Sequence, residues 1–393
     1  MRKLILVPSD LLKLLDTSKA TRYEHELISA FSGMQIATKP GSLRSSSSAG
    51  SSTRMVISGP VIPAPDLSPS EAHRRFSTII GNLRTLHELS LHMSGEDHVL
   101  IKQLESPSSF LTPGWLAFSA TLRVLDLKIP LEVMEDVLPP FGKTVLTNLE
   151  NLSMRIVIAS LSTSVSPILV NTVLPFINAH RLSIISLSFD MLENDNISPL
   201  LAGIKHMSRL SSFSLKQPYQ NQDCDSSGLY HFLSEHRRQL TSFTFCPMTP
   251  FGTNTPPIIL SALAFRVPLP ALQKLSISLC LYPGHWAYTR FYIGQFKSTL
   301  VSLKTSNQGF HPHEVAALIE VFGQSSPLRE LDMLVIIFAP SLLACVAQNL
   351  PELNTLKLKF IDERVVNPAG YHNDDPTQLS RVSLLALVLR YLS

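Results

Sequence analysis

Charge is scarce in this chain: Asp, Glu, Lys and Arg make up 16% of 393 residues, hydrophobic residues make up 45%, and mean hydropathy is +0.18. A composition so poor in charge and so rich in apolar side chains excludes a mostly disordered protein. Cysteine is scarcer still. Cys224, Cys246, Cys280 and Cys345 contain no C-x-x-C pair, which excludes a paired-cysteine zinc site and argues against a disulfide scaffold in so long a chain. The 33 Lys and Arg residues leave a net charge of only +3 and form no basic block, so nothing here suits a nucleic-acid backbone.

Long hydrophobic runs are missing as well. No charged residue lies between Arg155 and Arg181 or between Asp332 and Glu352, so each stretch approaches the length of a membrane span. The first is interrupted by Ser160, Ser162, Thr163, Ser164, Ser166, Pro167, Asn171 and Asn178, the second by Pro340, Ser341, Gln348 and Asn349. A strand followed by a buried helix accounts for both, and no membrane contact is expected. The opening residues, MRKLILVPSD, place four apolar residues between two cations and a proline, too few for a secretory signal. The expected location is intracellular, cytoplasmic or nuclear.

Catalytic signatures fail one by one. The GKT at 142–144 lacks the glycine a phosphate loop requires five positions before Gly142, where Val137 stands, and Pro139 and Pro140 fill the turn. His25 and Glu26 begin like a zinc-protease helix, but Ser29 replaces the second histidine. His311, His313 and Glu314, with His285, are the only histidine grouping to weigh for a metal, and polarity at a helix start explains them better. No G-x-S-x-G elbow or G-x-G-x-x-G loop occurs. The expectation is a protein without cofactor or metal and not an enzyme.

What the chain has in abundance is a recurring apolar triplet with spacing L-x-x-L-x-L. Ten copies begin at Leu86, Leu122, Leu149, Leu182, Leu210, Leu240, Leu272, Leu300, Leu328 and Leu353, separated by 36, 27, 33, 28, 30, 32, 28, 28 and 25 residues. One such hexapeptide is common by chance, but ten at a near-regular period mark a solenoid. The last two apolar positions lie two apart and so point to one side of a short strand, while the residues between them face the other way. Helical patterns fill the intervals, as at 167–180, 198–207, 228–238 and 312–323, several with proline at the first turn. One strand and one helix per repeat predict an α/β leucine-rich-repeat solenoid, a horseshoe with parallel inner strands and outer helices, since a helix is wider than a strand.

Over roughly residues 83–360 the pattern resembles the long-repeat, ribonuclease-inhibitor-like branch of leucine-rich-repeat proteins, although the Asn or Cys that usually follows the third apolar position is irregular. Four segments are expected. Residues 1–35, where Met1, Leu4 and Leu6 fit the triplet and Ser9 suits a helix cap, form a first repeat or an amino-terminal helical cap. Residues 36–70 form a flexible Ser/Gly/Pro-rich insertion containing PGSLRSSSSAGSST, residues 71–360 the solenoid, and residues 361–393, ending RVSLLALVLRYLS, a carboxyl-terminal cap.

The triplet also names the outward residues of each strand. The middle column reads Ser90, Asp126, Ser153, Ser186, Ser214, Thr244, Ser276, Lys304, Asp332 and Lys357, and the flanking columns add Glu88, His92, Lys128, Arg155, Lys216, Lys274, Glu330 and Lys359. This face lacks aromatic platforms for single strands and a cationic stripe for duplex phosphates, so a protein partner is expected. Lys304, Glu330, Asp332, Lys357 and Lys359 form the preferred contact patch, with Arg155 and Lys216 as further partner-binding candidates.

The irregular repeats and Ser-rich strand faces are also similar to fungal F-box/leucine-rich-repeat proteins, though no F-box is recognisable after LVPSDLLKLL. That resemblance implies a ubiquitin-ligase substrate receptor, or a derivative lacking the F-box, with a cullin-RING adaptor as partner if an F-box exists upstream. The alternatives are a regulator of an enzyme, either an inhibitor or a GTPase activator using Arg155, and an enzyme with a dispersed active site.

Overall fold

The computed structural model describes residues 3–6, 78, 81–93, 108–139, 145–157, 165–191, 196–218, 225–248, 259–278, 286–306, 309–337 and 339–360. Within them, eleven strands form one parallel sheet whose spatial order is the order of the chain. The strands are β1 (Lys3–Leu6), β2 (Glu88–His92), β3 (Val124–Pro130), β4 (Asn151–Val157), β5 (Ser186–Met191), β6 (Ser212–Pro218), β7 (Ser242–Met248), β8 (Lys274–Ser278), β9 (Ser302–Ser306), β10 (Glu330–Val335) and β11 (Thr355–Phe360). Between them lie α1 (Ser108–Phe118), α2 (Met134–Val137), α3 (Val165–Ile168), α4 (Leu174–Ala179), α5 (Ser198–Gly203), α6 (Ser227–His236), α7 (Trp286–Gly294), α8 (Pro312–Phe322) and α9 (Pro340–Asn349). Parallel neighbours require a crossover, and here the outer half of each repeat supplies it. The expected leucine-rich-repeat solenoid is the architecture found. The triplet at Met1, Leu4 and Leu6 does supply a strand, β1, paired in register with β2.

Two interactions repeat from strand to strand. Side chains alternate between buried and half-exposed, so Leu125, Leu127, Leu152, Met154, Leu187 and Phe189 point into one continuous core shared with helix residues such as Trp115, Ile177 and Phe232. Burying each such side chain contributes roughly 1.5–3 kcal/mol. The carbonyl just before a strand accepts two N–H bonds from the next repeat, at 2.7–3.1 Å, in an unbroken ladder through His87, Arg123, Glu150, Ile185, Ser211, Thr241, Gln273, Val301 and Arg329.

That ladder corrects the frame of the fourth triplet. Ile185 occupies the accepting position held by His87 and Arg123, so the triplet starts at Ile184, which is fully buried, and not at Leu182, which is 66% exposed. The middle column therefore contains Ser188, paired with Ser153 and Ser214, while Ser186 moves to the first column opposite Asn151 and Ser212.

The outer layer also follows from sequence. The helical pattern at 167–180 is one continuous helix in which α3 and α4 flank a wide turn at Leu169–Val173. Pro175 offers no N–H, and just before it the Leu174 N–H reaches back five residues to the Leu169 carbonyl. His311 and Glu314 cap α8 reciprocally, with Glu314 Oε2 accepting the His311 N–H at 2.8 Å, so their polarity serves the helix start. The helix stops at Gly323, whose φ of 66° favours glycine.

Histidine staples two pairs of repeats. His180 and His236 each bond the carbonyl four residues back, that of Phe176 or Phe232, through Nδ1 at 2.7 Å. Their Nε2 atoms accept the backbone N–H of the preceding repeat, Leu146 at 2.9 Å and Met207 at 3.1 Å, which requires the neutral ring with its proton on Nδ1. Through the middle of the core runs a chain of rings, Phe189, Phe213, Phe243, Phe245, Phe265, Tyr292 and Phe296, with successive centroids 4.8–6.5 Å apart. Among the described residues no helix is long and apolar enough to cross a membrane. The uncharged stretches resolve into β4 followed by the α3–α4 helix and β10 followed by α9. The insertion at 36–70 and the cap at 361–393 lie outside the described residues.

Candidate functional site

Strand register turns the outward side chains into straight columns on the sheet face opposite the leucines. The first column runs Glu88, Val124, Asn151, Ser186, Ser212, Ser242, Lys274, Ser302, Glu330 and Thr355. In the middle one, Ser153, Ser188, Ser214, Thr244 and Ser276 make a run of short hydroxyl side chains between Asp126 at one end and Lys304, Asp332 and Lys357 at the other. The third column, nearest the carboxyl ends of the strands, carries His92, Lys128, Arg155, Asp190 and Lys216 in consecutive register. Short side chains leave the strands approachable, and the longer charged ones rise around them.

The seven partner-binding candidates fall into two groups. Lys304, Glu330, Asp332, Lys357 and Lys359 share β9, β10 and β11. Asp332 stands in register between Lys304 and Lys357, and Lys359 Nζ lies 3.1 Å from its Oδ1. Lys304, Lys357 and Glu330 are exposed and have no ion-pair partner among the described residues. Arg155 and Lys216 stand on β4 and β6, so roughly 14 Å of sheet, three strand spacings, separates Lys216 from the first group.

Sequence reasoning missed the residue that joins Arg155 to Lys216. Asp190 on β5 accepts Arg155 Nε at 2.6 Å on Oδ2, and Lys216 Nζ lies 3.2 Å from its Oδ1. Framing the fourth triplet two residues early left Asp190 beyond the named columns. The signal was present, since Asp190 follows Phe189 as Lys128 follows Leu127 and Arg155 follows Met154. Two looser pairs border the face elsewhere, His92 with Asp126 at 3.3 Å and Lys3 with Glu88 at 3.5 Å.

Among the described residues no group of three or more His, Cys, Asp or Glu side chains is placed to hold a metal. Cys246 and Cys345 are free and half-buried, and burial raises the Cys345 thiol pKa, which disfavours its thiolate. Burial also raises the Tyr292 phenol pKa, leaving a neutral hydroxyl inside the core.

By sequence, no family model and no curated protein matches the chain. Among solved structures, it is similar to the leucine-rich repeat-containing protein LegL7 from Legionella pneumophila at 13% identity and a TM-score of 0.43, over 74% of this chain and 88% of that one. The strand order, register and carbonyl ladder of the chain itself carry the assignment of architecture.

Proposed function

We propose that the chain is a protein-binding scaffold whose open sheet face holds a partner, with Lys304, Glu330, Asp332, Lys357 and Lys359 as the principal contact patch. The observation that supports it is the uneven use of charge at that end of the sheet. Asp332 is engaged by Lys359, while Lys304 and Lys357 flank it without a partner of their own among the described residues. Charge held ready beside short hydroxyl side chains suits a polar protein surface, where complementary charge sets register and association rate. Affinity purification with the wild-type chain and with the K304E/K357E/K359E variant tests this. Partners should be lost from the variant, and a variant that keeps every partner refutes the patch.

The finer reading, a ubiquitin-ligase substrate receptor or a derivative of one, rests on the resemblance to F-box/leucine-rich-repeat proteins. Recovery of a cullin-RING adaptor by a form extended at its amino terminus, and not by this chain, would support it. Failure of both forms to recover the adaptor removes that reading. Activation of a GTPase through Arg155 is weakened by geometry, because a finger must extend out into its target's active site and Asp190 holds the Arg155 side chain to the sheet face through Nε at 2.6 Å, so that a ligand has to come to it. Unchanged hydrolysis across a panel of small GTPases would dismiss it.

A further inference from the structure

On the third column of the open face, Lys128, Arg155, Asp190 and Lys216 stand in that order on four consecutive strands, so Arg155 and Lys216 lie on either side of one carboxylate and Lys128 adds a third cation beside Arg155. The side chain of Asp190 is only 16% exposed, whereas those of Arg155 and Lys216 are 43% and 35% exposed, so the carboxylate lies beneath the charges it holds. Asp190 takes the Nε edge of the Arg155 guanidinium and leaves both terminal NH2 groups without a partner among the described residues. Lys128 likewise has no ion-pair partner there, and the neighbouring Asp126 is paired with His92. Beside the column stand the hydroxyls of Ser153, Ser188 and Ser214.

A guanidinium fixed on one edge by a half-buried carboxylate presents its remaining donors as a flat fork, the geometry that matches the two oxygens of a phosphate or carboxylate. We propose that Arg155, positioned by Asp190, with Lys128 beside it and Lys216 beyond Asp190, receives an oxyanion group, phosphate or carboxylate, carried on an extended peptide segment of the partner. This rests on the reading of the face as protein-binding and names the chemistry of one contact within it. Three cations against Asp190 and Asp126 leave the neighbourhood net positive, and the serine hydroxyls beside it admit a main chain close to the strands. A phosphorylated side chain, with up to two charges and three acceptor oxygens, fits this fork better than a carboxylate.

Degenerate 13-residue peptide pools, each with phosphoserine, Glu, Ser or Lys fixed at the centre, test the site when their retention by the full chain is measured at low and high salt. The phosphoserine pool should be retained about fivefold or more over the Ser pool, with Glu between them, Lys lowest and the preference shrinking in salt. R155K keeps the charge but loses the fork, so it should bring the phosphoserine pool down towards the Ser level. D190N adds net positive charge, so charge alone predicts tighter binding and positioning predicts weaker binding; weaker is expected. Equal retention of phosphoserine and Ser pools, or a preference that survives R155K, overturns the site. If the pools are retained equally and retention falls in K304E/K357E/K359E, the site fails while the scaffold reading stands. Retention of no pool by the wild-type chain overturns the site, and the scaffold reading is then decided by whether K304E/K357E/K359E loses partners in affinity purification.

Discussion

His180 and His236 are neutral because burial lowers their pKa values, an effect that their bonds to the Phe176 and Phe232 carbonyls only partly offset; around His236, His206 and His231 lower it further and Glu235 opposes them. In the unfolded chain a histidine titrates near 6.5, roughly. Below that value the unfolded chain takes up protons that the folded chain refuses. Their contribution to stability is therefore complete above about pH 6.5 and is lost as pH falls towards the folded values. Thermal midpoints should drop between pH 7.5 and 5.5, and the H180F/H236F variant should show a smaller drop, with Phe standing where Phe118 and Phe296 already precede their triplets by four residues. An equal drop in both proteins would place the acid sensitivity elsewhere. Asp225, whose pKa is lowered chiefly by its side-chain bond with Ser227, acts in a more acidic window and does not confuse the comparison. Gly228 makes a second test at this scale, since a Cβ there would sit 2.0 Å from the Ser198 carbonyl oxygen and its N–H already donates to Ser198 Oγ at 2.7 Å. G228A should cost at least about 1–3 kcal/mol in denaturant titration, because the obstacle is backbone on both sides.

A two-residue slip of a strand leaves every side chain on its own face, whereas a one-residue slip would expose the core. For that reason apolar spacing alone did not decide between LSIISL and IISLSF in the fourth repeat, although it placed the other nine triplets correctly. The Ile185 carbonyl decides it, and that is information carried by the neighbouring repeats. The consequence is measurable. Leu187, fully buried, should cost about 2–5 kcal/mol on truncation to Ala, while Leu182 should cost within about 0.5 kcal/mol. Similar losses at the two positions would restore the earlier frame. Helices were legible from apolar periodicity and first-turn prolines, but not their lengths: the pattern at 198–207 yields a helix only to Gly203, after which Ile204 turns extended. Lys304, Asp332 and Lys357 were legible as a column because their repeats were framed correctly. The Arg155–Asp190 pair was not, because it joins residues 35 apart whose adjacency exists only once strand order and register are both fixed.

Each strand pairs only with the strands of the adjacent repeats, so stability is approximately a sum of repeats and of the surfaces between them. The ring chain from Phe189 to Phe296 makes β5 to β8 the best consolidated stretch, whereas on β11 Leu358 and Phe360 are only half-buried. Hydrogen exchange should therefore be slowest at Phe213, Leu215, Phe243 and Phe245 and fastest along β11. Uniform protection from β2 to β11 would mean that the sheet opens as one unit.

The carbonyl ladder also makes the chain divisible. Thr241 O receives Gln273 and Lys274, and Gln273 O receives Val301 and Ser302, in the same way and from equivalent positions. Removing residues 272–299 as a block would bring Val301 and Ser302 to Thr241, and β9 to β7, with no bond of the ladder left open. Gene duplication or loss of a whole unit thus changes the reach of the face without disturbing its construction, so charged columns can be brought nearer together or set further apart by steps of one strand.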